Sequence, residues 1–318
     1  MAVIAMLLLV AIIALLASAL MARQTAAIHT TQNEQIRLQG QWLLRGEISR
    51  SQMLLRAEAL RTPVTRLDGA WSRPVAGKPV GQLAGEPARI YAEVTDEQAR
   101  FNLRNLIDGG DADLHETRAF LRLCALVGVS GEQATLIARR VVESLVGAGR
   151  RADAPFSQET LRDARFAARA IGLDALPARE QSPRLRDLND LLGVPGIDPA
   201  AIGRLQSYVT ILPQRTWINA NTAGPEVLAA WIPGLTLARA QAMLASRNNG
   251  QWFINRGDFA RRLQMPEIDE SDILIGITSQ WFRLSGALRT SQRTLLLQAL
   301  LYDDKASLPQ VVWLREGA

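Results

Sequence analysis

The chain has 318 residues, of which 48% are hydrophobic, so it can bury a sizeable core and form about two domains. Its 36 basic and 31 acidic side chains leave a net charge of +5, which is too small to require a nucleic acid as partner. Cys124 is the single cysteine, which excludes an intrachain disulfide. The two histidines, His29 and His115, lie far apart in the sequence, so a zinc or haem site is not expected.

The N-terminal segment is the first informative feature. Residues 1–22 contain no charged side chain, and Ser18 is the only polar one. A helix of this length would be about 33 Å long, enough to cross the hydrocarbon core of a bilayer. A cleaved signal peptide is the alternative, but its apolar region is shorter and follows basic residues, which this segment lacks. We predict a transmembrane span over 1–22, with the anchor residues Met1, Leu8, Ile12 and Leu16.

The helical pattern continues beyond the span, because Pro63 is the first proline of the chain. Leu44, Ile48 and Leu55 fall on one face at helical spacing. The pattern predicts one helix over 1–62, roughly 90 Å long, that starts in the bilayer and ends in the aqueous phase. A helix that is apolar in its first third and amphipathic afterwards resembles the stem of type IV pilins and pseudopilins.

The fifth position of this stem differs from the usual pilin pattern. The resemblance implies a glutamate there that meets the N-terminal amine of a neighbouring subunit, but here the residue is Ala5, or Met6 if Ala2 is the first mature residue. A glutamate without a partner amine costs several kcal/mol in lipid. We therefore expect a subunit with no neighbour above it, in a form from which a leader peptide has been removed.

The residues after the stem predict a split sheet. Residues 62–87 contain four prolines and four glycines, and we expect a loop there without a regular element. Apolar and polar residues alternate over 88–95, which predicts a half-buried strand. Further strands are predicted over 282–289, 294–302 and 310–314. A sheet whose first strand lies so far before the others implies an inserted domain.

Between 104 and 275 the pattern is helical. Ala134, Ile137, Val141 and Leu145 share a face, Ser130 and Gln133 predict a capping box before them, and Cys124 is expected in the core. Two hairpin turns are expected at 192–198 and 231–236. The predicted fold is α+β, with a pilin-like helix over 1–62, a head with a small antiparallel sheet over 63–103 and 277–318, and an inserted all-α domain of SAM-like or helix-hairpin-helix-like type over 104–276.

Three segments carry a family resemblance: VTDEQARFNL at 94–103, YVTILP at 208–213 and INANTAGPEVL at 218–228. In this order, after the apolar stem and with the split sheet, they resemble the K-type minor pseudopilin family of type II secretion. Asn221 or Thr222 is expected to cap the following helix, with Pro225 in its first turn. Asn102 and Asn219 are expected to be structural hydrogen-bonding groups. The motif residues are Asp96, Phe101, Asn102, Pro195, Gly196, Asn219, Asn221, Thr222 and Pro225.

The resemblance implies a non-enzymatic subunit at the tip of the pseudopilus, anchored in the bacterial inner membrane by a single span with a periplasmic body. The implied partners are the I-type and J-type minor pseudopilins and other pseudopilins. The family also implies calcium in the inserted domain, held by an acidic run. At that place residues 143–151 offer one acid and two arginines, which is a poor ligand set for calcium. The remaining candidates, which alternatively form a solvated turn that caps a helix, are Asp108, Asp111, Asp113 and Glu116.

The sequence also bears on two other functions, DNA binding and catalysis. Helix-hairpin-helix DNA-binding modules use a Gly-apolar-Gly turn whose amides bind phosphate, and here Asp198 and Thr236 replace the second glycine. A membrane-anchored DNA-binding or uptake protein is therefore the alternative, but nucleic acid is not expected as a partner. An enzyme is not predicted, because the sequence has no Gly-x-Ser-x-Gly, phosphate loop or His-Glu-x-x-His motif. Asp303 and Asp304 fit a polar turn between strands.

Overall fold

The computed structural model describes residues 2–145, 158–174, 176, 182–265 and 275–317. Within these ranges the helices are α1 (Ala2–Arg61), α2 (Leu114–Leu126), α3 (Gly131–Leu145), α4 (Gln158–Ala170), α5 (Pro199–Leu205), α6 (Pro225–Trp231), α7 (Leu237–Asn248) and α8 (Arg256–Leu263). The strands are β1 (Val75–Leu83), β2 (Glu86–Asp96), β3 (Phe101–Asn102), β4 (Ile107–Asp108), β5 (Asp111–Ala112), β6 (Val209–Thr210), β7 (Ile218–Asn219), β8 (Ile275–Gly276), β9 (Trp281–Arg289), β10 (Thr294–Tyr302) and β11 (Gln310–Gly317).

The long N-terminal helix is confirmed. α1 has 60 residues and ends at Arg61, two residues before Pro63, because a proline disfavours helical geometry in the residue before it. Among the described residues it is the helix that is long and apolar enough to cross a membrane, and none of its most apolar window is buried. The predicted anchor side chains Leu8, Ile12 and Leu16 are exposed, whereas Met1 lies outside the described residues.

The second half of α1 packs on a five-stranded antiparallel sheet with the order β1-β2-β9-β10-β11. The strands predicted over 88–95, 282–289, 294–302 and 310–314 are all confirmed. Ile90 and Leu295 both lie opposite Leu288 and face α1, as the alternation predicts. Gly40 of α1 lies so close to the sheet that a Cβ atom there would clash with the Leu295 Cδ1 atom.

The prediction of a loop without regular elements over 62–87 is wrong, because residues 75–83 form β1. β1 is an edge strand, and a proline such as Pro79 is tolerated at an edge because its missing N–H removes no bond from the sheet interior. Gly77 and Gly81 have φ values of +67° and +95°, and the pairing register shifts beside them. The breakers therefore mark bulges within a strand.

The middle of the chain forms a second hydrophobic core. The predicted face of α3 is buried, and Cys124 of α2 is fully buried, so that burial raises the pKa of its thiol to about 12. Phe101 and Leu103 belong to this helical core, although β2 of the main sheet ends only five residues before Phe101. The observed elements confirm the α+β fold class. The domain limits at 103/104 and 276/277 stay a prediction.

The predicted capping box before α3 is only half formed. The Gln133 N–H donates to the Ser130 Oγ atom at 3.3 Å, but the Gln133 side chain does not return to Ser130. Its Nε2 atom donates to the Gly196 carbonyl at 2.9 Å, and its Oε1 atom accepts from the Asp198 N–H at 2.8 Å. Tertiary contact with the first hairpin turn thus replaces the local cap.

Candidate functional site: the polar junction between sheet and helical core

A buried carboxylate lies where β2 leaves the sheet. The Asp96 Oδ2 atom accepts hydrogen bonds from the Ser279 hydroxyl at 2.6 Å, the Thr222 hydroxyl at 2.5 Å and the Asn219 amide at 3.2 Å. Its Oδ1 atom accepts from the Gln98 N–H at 2.8 Å. Burial raises the pKa of Asp96, and the hydrogen bonds oppose this rise because they stabilise the ionised form. The carboxylate thus joins three segments that are distant in sequence.

Asn219 connects this carboxylate to the loop that follows α1. Its Nδ2 atom also donates to the Ser279 hydroxyl at 2.7 Å and to the Thr65 carbonyl at 3.3 Å, and its Oδ1 atom accepts from the Asn221 N–H at 2.9 Å. The Ser279 N–H donates to the Thr65 hydroxyl at 2.9 Å. Asn219 and Ser279 are fully buried, so each of these bonds satisfies a group that water cannot reach.

Glu97 is a second buried carboxylate, next to Asp96, and it forms ion pairs. Its side chain is fully buried and accepts from the Arg283 guanidinium at 2.9 Å, the Arg100 guanidinium at 3.1 Å and the Thr210 hydroxyl at 2.5 Å. Arg283 belongs to the sheet, whereas Thr210 belongs to β6, which pairs with β3. The two arginines balance the charge of a carboxylate that would otherwise be costly to bury.

Two asparagines hold the segment before β7. The Asn102 side chain donates to the Gln214 carbonyl at 2.8 Å and accepts from the Leu212 N–H at 3.1 Å. The Asn105 side chain donates to the Thr216 carbonyl at 2.9 Å and accepts from the Thr216 N–H at 3.1 Å. Each amide thereby replaces a missing strand partner, which is the structural role expected for Asn102.

The expected capping role of Asn221 and Thr222 is wrong. The Asn221 side chain bonds the Phe253 N–H and carbonyl, each at 2.9 Å, and the Thr222 hydroxyl is bound to Asp96. The N-cap residue of α6 is Gly224, and Pro225 occupies the first turn as predicted. Both polar side chains are drawn into tertiary bonds, because the turn that carries them is buried.

The structure brings together Asp96, Asn219 and Thr222. The Asn102 side chain bonds residues 212 and 214, and the Asn221 side chain bonds Phe253. Phe101 and the pair at 195–196 are not part of the Asp96 network. The Phe101 ring packs 5.8 Å from that of Phe120 in the helical core. Pro195 and Gly196 form the first hairpin turn, where Gly196 has a φ of +86°.

Sequence analysis missed Glu97, Asn105, Arg247 and Ser279 at the junction. Arg247 is 4% exposed and donates to the Ala220 and Ala223 carbonyls at 2.8 and 2.7 Å, and burial lowers its pKa to about 10. Glu97 lies inside the family motif at 94–103, and its place beside Asp96 in that motif could have indicated it. Arg247 lies in an ordinary amphipathic helix, and nothing in the sequence around it indicates that its side chain is buried at the junction.

The acidic loop proposed for calcium has other partners. Arg215 lies 2.9 Å from the Asp113 carboxylate and 3.6 Å from that of Asp108, and Asp113 caps α2. Glu116 points into the core, where it accepts from the Asn105 amide at 3.2 Å and the Trp231 indole at 3.3 Å. Asp111 lies in β5. The described residues include no group of three or more metal-binding side chains, and residues 146–151 lie outside them.

The two hairpin turns use their polar groups within the chain. The Asp198 carboxylate caps α5 by accepting from the Ala200 N–H at 2.9 Å. The Thr236 hydroxyl caps α7 by accepting from the Arg239 N–H at 3.3 Å. Both residues that replace glycine therefore act as N-caps, and the acid occupies the place where a DNA phosphate would bind.

Comparison with known proteins identifies the family. Models of type II secretion system protein K match residues 99–214 and 218–277, which together are more than half of the chain. The chain belongs to the type II secretion system protein K family. Its relatives include the protein K of Pseudomonas aeruginosa, 25% identical over 96% of this chain and 88% of the relative, and that of Klebsiella pneumoniae, 29% identical over 84% and 79%.

The fold of protein K is also found in a solved structure, described as the GspK-GspI-GspJ complex of the enterotoxigenic Escherichia coli type 2 secretion system. One chain there aligns with a TM-score of 0.62 at 17% identity, over 91% of this chain and 99% of that chain. The resemblance to K-type minor pseudopilins and the α+β fold are thereby confirmed. The two matched ranges of the protein K models contain Asn102, Thr210, Asn219 and Thr222 of the polar junction.

Proposed function

We propose that this protein K family member is a non-enzymatic minor pseudopilin that caps the tip of the type II secretion pseudopilus and promotes its assembly. The observation that carries the proposal is a head of pilin type into which a helical body is inserted. Residues between β2 and β9 form a hydrophobic core of their own beside the sheet. This inserted helical body would obstruct the stacking of a further subunit on top of the head, so the protein ends a filament.

Anchoring follows from α1. The described side chains in the apolar first third of this helix are exposed, and the sequence carries no charged side chain before Arg23, so a bilayer is the environment that suits it. Membership of a type II secretion family, together with this apolar helix, supports an inner-membrane anchor. We therefore place the span in the inner membrane and the folded body in the periplasm.

The proposed partners are the I-type and J-type minor pseudopilins, followed by other pseudopilins below them. The solved relative of similar fold is described as part of a complex with GspI and GspJ. The absence of an acid before Glu34 agrees with this placement, because a subunit at the tip has no amine from a neighbour above to neutralise.

A structural role rather than catalysis fits the buried polar groups. Asp96 and Glu97 each hold several donors that belong to separate segments. The acidic pair between β10 and β11 shapes a turn: the Asp303 carboxylate accepts from the Lys305 N–H at 2.9 Å, and that of Asp304 accepts from the Ser307 N–H at 2.7 Å. These carboxylates position the backbone, which favours a scaffold.

Counting labelled copies on isolated pseudopili tests the proposal. A single label at one end of each filament is the expected result. Regular labelling along the shaft would contradict the tip assignment, because it would mean that the helical body does not prevent stacking. A label on a major pseudopilin in the same preparation serves as the control for shaft decoration.

A further inference from the structure

One end of the main sheet, the end that holds the turn between β9 and β10, lies toward the membrane span. Gly40 of α1 packs against Leu295, which follows this turn closely. Leu44, one helical turn further from the span, packs against Gly286 of β9. β9 therefore runs toward the span while α1 runs away from it, and the turn at 290–293 is nearer to the span than Gly40.

Two arginines face each other at this end of the sheet. Arg89 of β2 pairs directly with Arg289 of β9. Their neighbours Ile90 and Leu288 are buried against α1, so both arginine side chains point to the other face of the sheet. Like charges directly opposite each other destabilise a sheet, and an anion bound between them would remove the repulsion.

Two further cations lie at the same end. Arg293 lies in the turn between β9 and β10, and Lys78 is the neighbour of the β1 residue that pairs with Arg89. Glu86 accepts a hydrogen bond from the Ser291 hydroxyl at 2.7 Å and offsets one of these charges. Four cations and one acid leave an excess of three positive charges. We call this set of charged residues the lower rim: Lys78, Glu86, Arg89, Arg289 and Arg293.

Other acids near the lower rim already have cationic partners. Glu34 forms an ion pair with Arg37, within α1. Glu316 of β11 forms one with Arg45 at 2.9 Å. These acids are therefore balanced by arginines outside the rim and do not neutralise it.

The arginines of the lower rim keep donors for a further ligand. The Arg89 guanidinium donates to the Gly77 carbonyl at 2.9 Å, and that of Arg289 lies 4.7 Å from the centre of the Tyr91 ring. In the part of the chain that the structure describes, neither they nor Arg293 form an ion pair. A guanidinium has five N–H donors in a planar fork, which suits the oxygens of a phosphate group.

The height of the lower rim above the bilayer fits such a ligand. Gly40 lies eighteen residues beyond the span at 1–22, which is about 27 Å of helix, and the turn at 290–293 reaches about 10 Å back toward the bilayer. The headgroup layer is about 5–7 Å thick. The rim of an upright chain thus lies about 10 Å from the headgroups, close to the Debye length of about 8 Å. Tilts of up to about 40° are ordinary for membrane-spanning helices and close this gap.

We propose that the lower rim binds the anionic phosphate headgroups of the bilayer in which α1 is anchored, before the chain joins a filament. The inference rests on the membrane anchor proposed above. The anchor holds the rim at a high local concentration of lipid phosphate, so that weak individual contacts suffice. Entry into a pseudopilus then requires release of the head from the lipid surface.

Lipid fits this surface better than an acidic protein does. The residues of the turn between the rim cations are Thr290, Ser291 and Gln292, which are polar and offer no apolar anchor. Stable protein interfaces are built around buried aromatic and arginine anchors in pockets. Attraction of exposed cations to a charged bilayer needs no such pocket.

The test uses the full-length chain in lipid vesicles, with a fluorescent donor attached to Gln292→Cys and an acceptor on the lipid. Cys124 is fully buried, so the label attaches at position 292. The vesicles contain phosphatidylcholine alone or together with phosphatidylglycerol. We expect energy transfer to rise in the mixed vesicles and to fall back at about 1 M salt, where the Debye length is about 3 Å. A donor on Ala306→Cys, in the connection that contacts Arg56 far from the span, should show little transfer in either.

A matched pair of variants tests the rim residues. Arg289→Gln with Arg293→Gln removes two cations from the rim. Each arginine near an anionic surface contributes about fivefold, so we expect the ratio of docked to undocked heads to fall roughly 25-fold. Arg165→Gln with Arg169→Gln removes the same charge from exposed positions of α4 and should leave the ratio within about twofold.

Several results would overturn the inference. Energy transfer that does not respond to phosphatidylglycerol, in a chain that still floats with the vesicles, would remove the lipid contact and leave the anchor intact. A chain that does not float with vesicles would overturn both. An equal loss in the two double variants would show attraction by net charge alone.

Two other occupants of the rim are distinguished by the same measurement. Loss of energy transfer on addition of inorganic phosphate at constant ionic strength would assign the rim to a free anion. A rise that appears only when other pseudopilins are present would assign it to an acidic protein. Either result would contradict binding of the lipid headgroups.

Discussion

At the scale of single residues, Asp96 is the group on which the polar junction depends most. Asp96→Ala would leave the Asn219, Thr222 and Ser279 donors without their shared acceptor in a buried place. Each orphaned donor costs about 1–3 kcal/mol, so we expect the free energy of unfolding to fall by roughly 3 kcal/mol or more. Thermal unfolding of the detergent-solubilised chain measures the loss.

Glu93→Ala, on the exposed face of the same strand, is the matched control for Asp96 and should change stability by less than about 0.5 kcal/mol. Equal melting temperatures for the two variants would mean that the junction contributes little to holding the sheet and the helical core together.

Glu116 is a second residue whose buried environment predicts a measurable effect, a dependence of stability on pH. Burial raises its pKa to about 7, and its Oε2 atom has no hydrogen-bond partner among the described residues. A folded-state pKa above the unfolded value means that Glu116 favours the fold below about pH 4.5 and loses this contribution as the pH rises through about 7. Each pKa unit corresponds to about 1.4 kcal/mol.

Glu116→Gln keeps the acceptor for Asn105 and Trp231 but cannot ionise. We expect equal melting temperatures for variant and wild type at pH 4.5, and a variant more stable by about 3 kcal/mol at pH 8. Burial lowers the pKa of His115, so its contribution to stability rises with pH, opposite to that of Glu116. Both proteins contain His115, so subtracting one unfolding free energy from the other at each pH cancels its contribution. A difference that does not change with pH would contradict the buried ionisation.

At the scale of secondary-structure elements, the first third of α1 should act as the anchor. Ile12→Arg with Ile13→Arg places two charges at the middle of the span, at about 2.5–3.5 kcal/mol each on insertion scales. We expect the double variant to be lost from the membrane fraction. Gln32→Arg with Asn33→Arg, beyond the span, should be retained, and retention of both variants would exclude this segment as the anchor.

The strand β1 shows that glycines and prolines do not always exclude a regular element. Four glycines and four prolines over 62–87 argued against a strand, yet β1 forms because an edge strand tolerates Pro79 and bulges at Gly77 and Gly81. Whether a strand is at an edge depends on pairing with distant residues. The residues of β1 do not by themselves show that no distant strand pairs with their free side. The local sequence therefore could not predict this strand.

At the scale of the whole molecule, the last prediction follows from the proposed position of the protein at the tip of the pseudopilus. Ala5→Glu places in the apolar span an acid of the kind that most pilins carry there, but a subunit at the tip has no amine above it to receive that acid. We expect no gain in secretion or pseudopilus assembly from the variant, measured as exported protein and filament number. A clear gain would mean that the apolar residue is not a consequence of the tip position.

The sequence by itself determined the long helix, the α+β class, the positions of four of the five strands of the main sheet, and the family. These rest on periodicity, breakers and motif order, which are local properties of the chain. Only the tertiary structure decided that Asn221 binds Phe253, that Thr222 binds Asp96 and that Gln133 reaches the turn at Gly196. A short polar side chain bonds whichever group the fold brings within reach, so a buried turn redirects residues that would otherwise cap a helix.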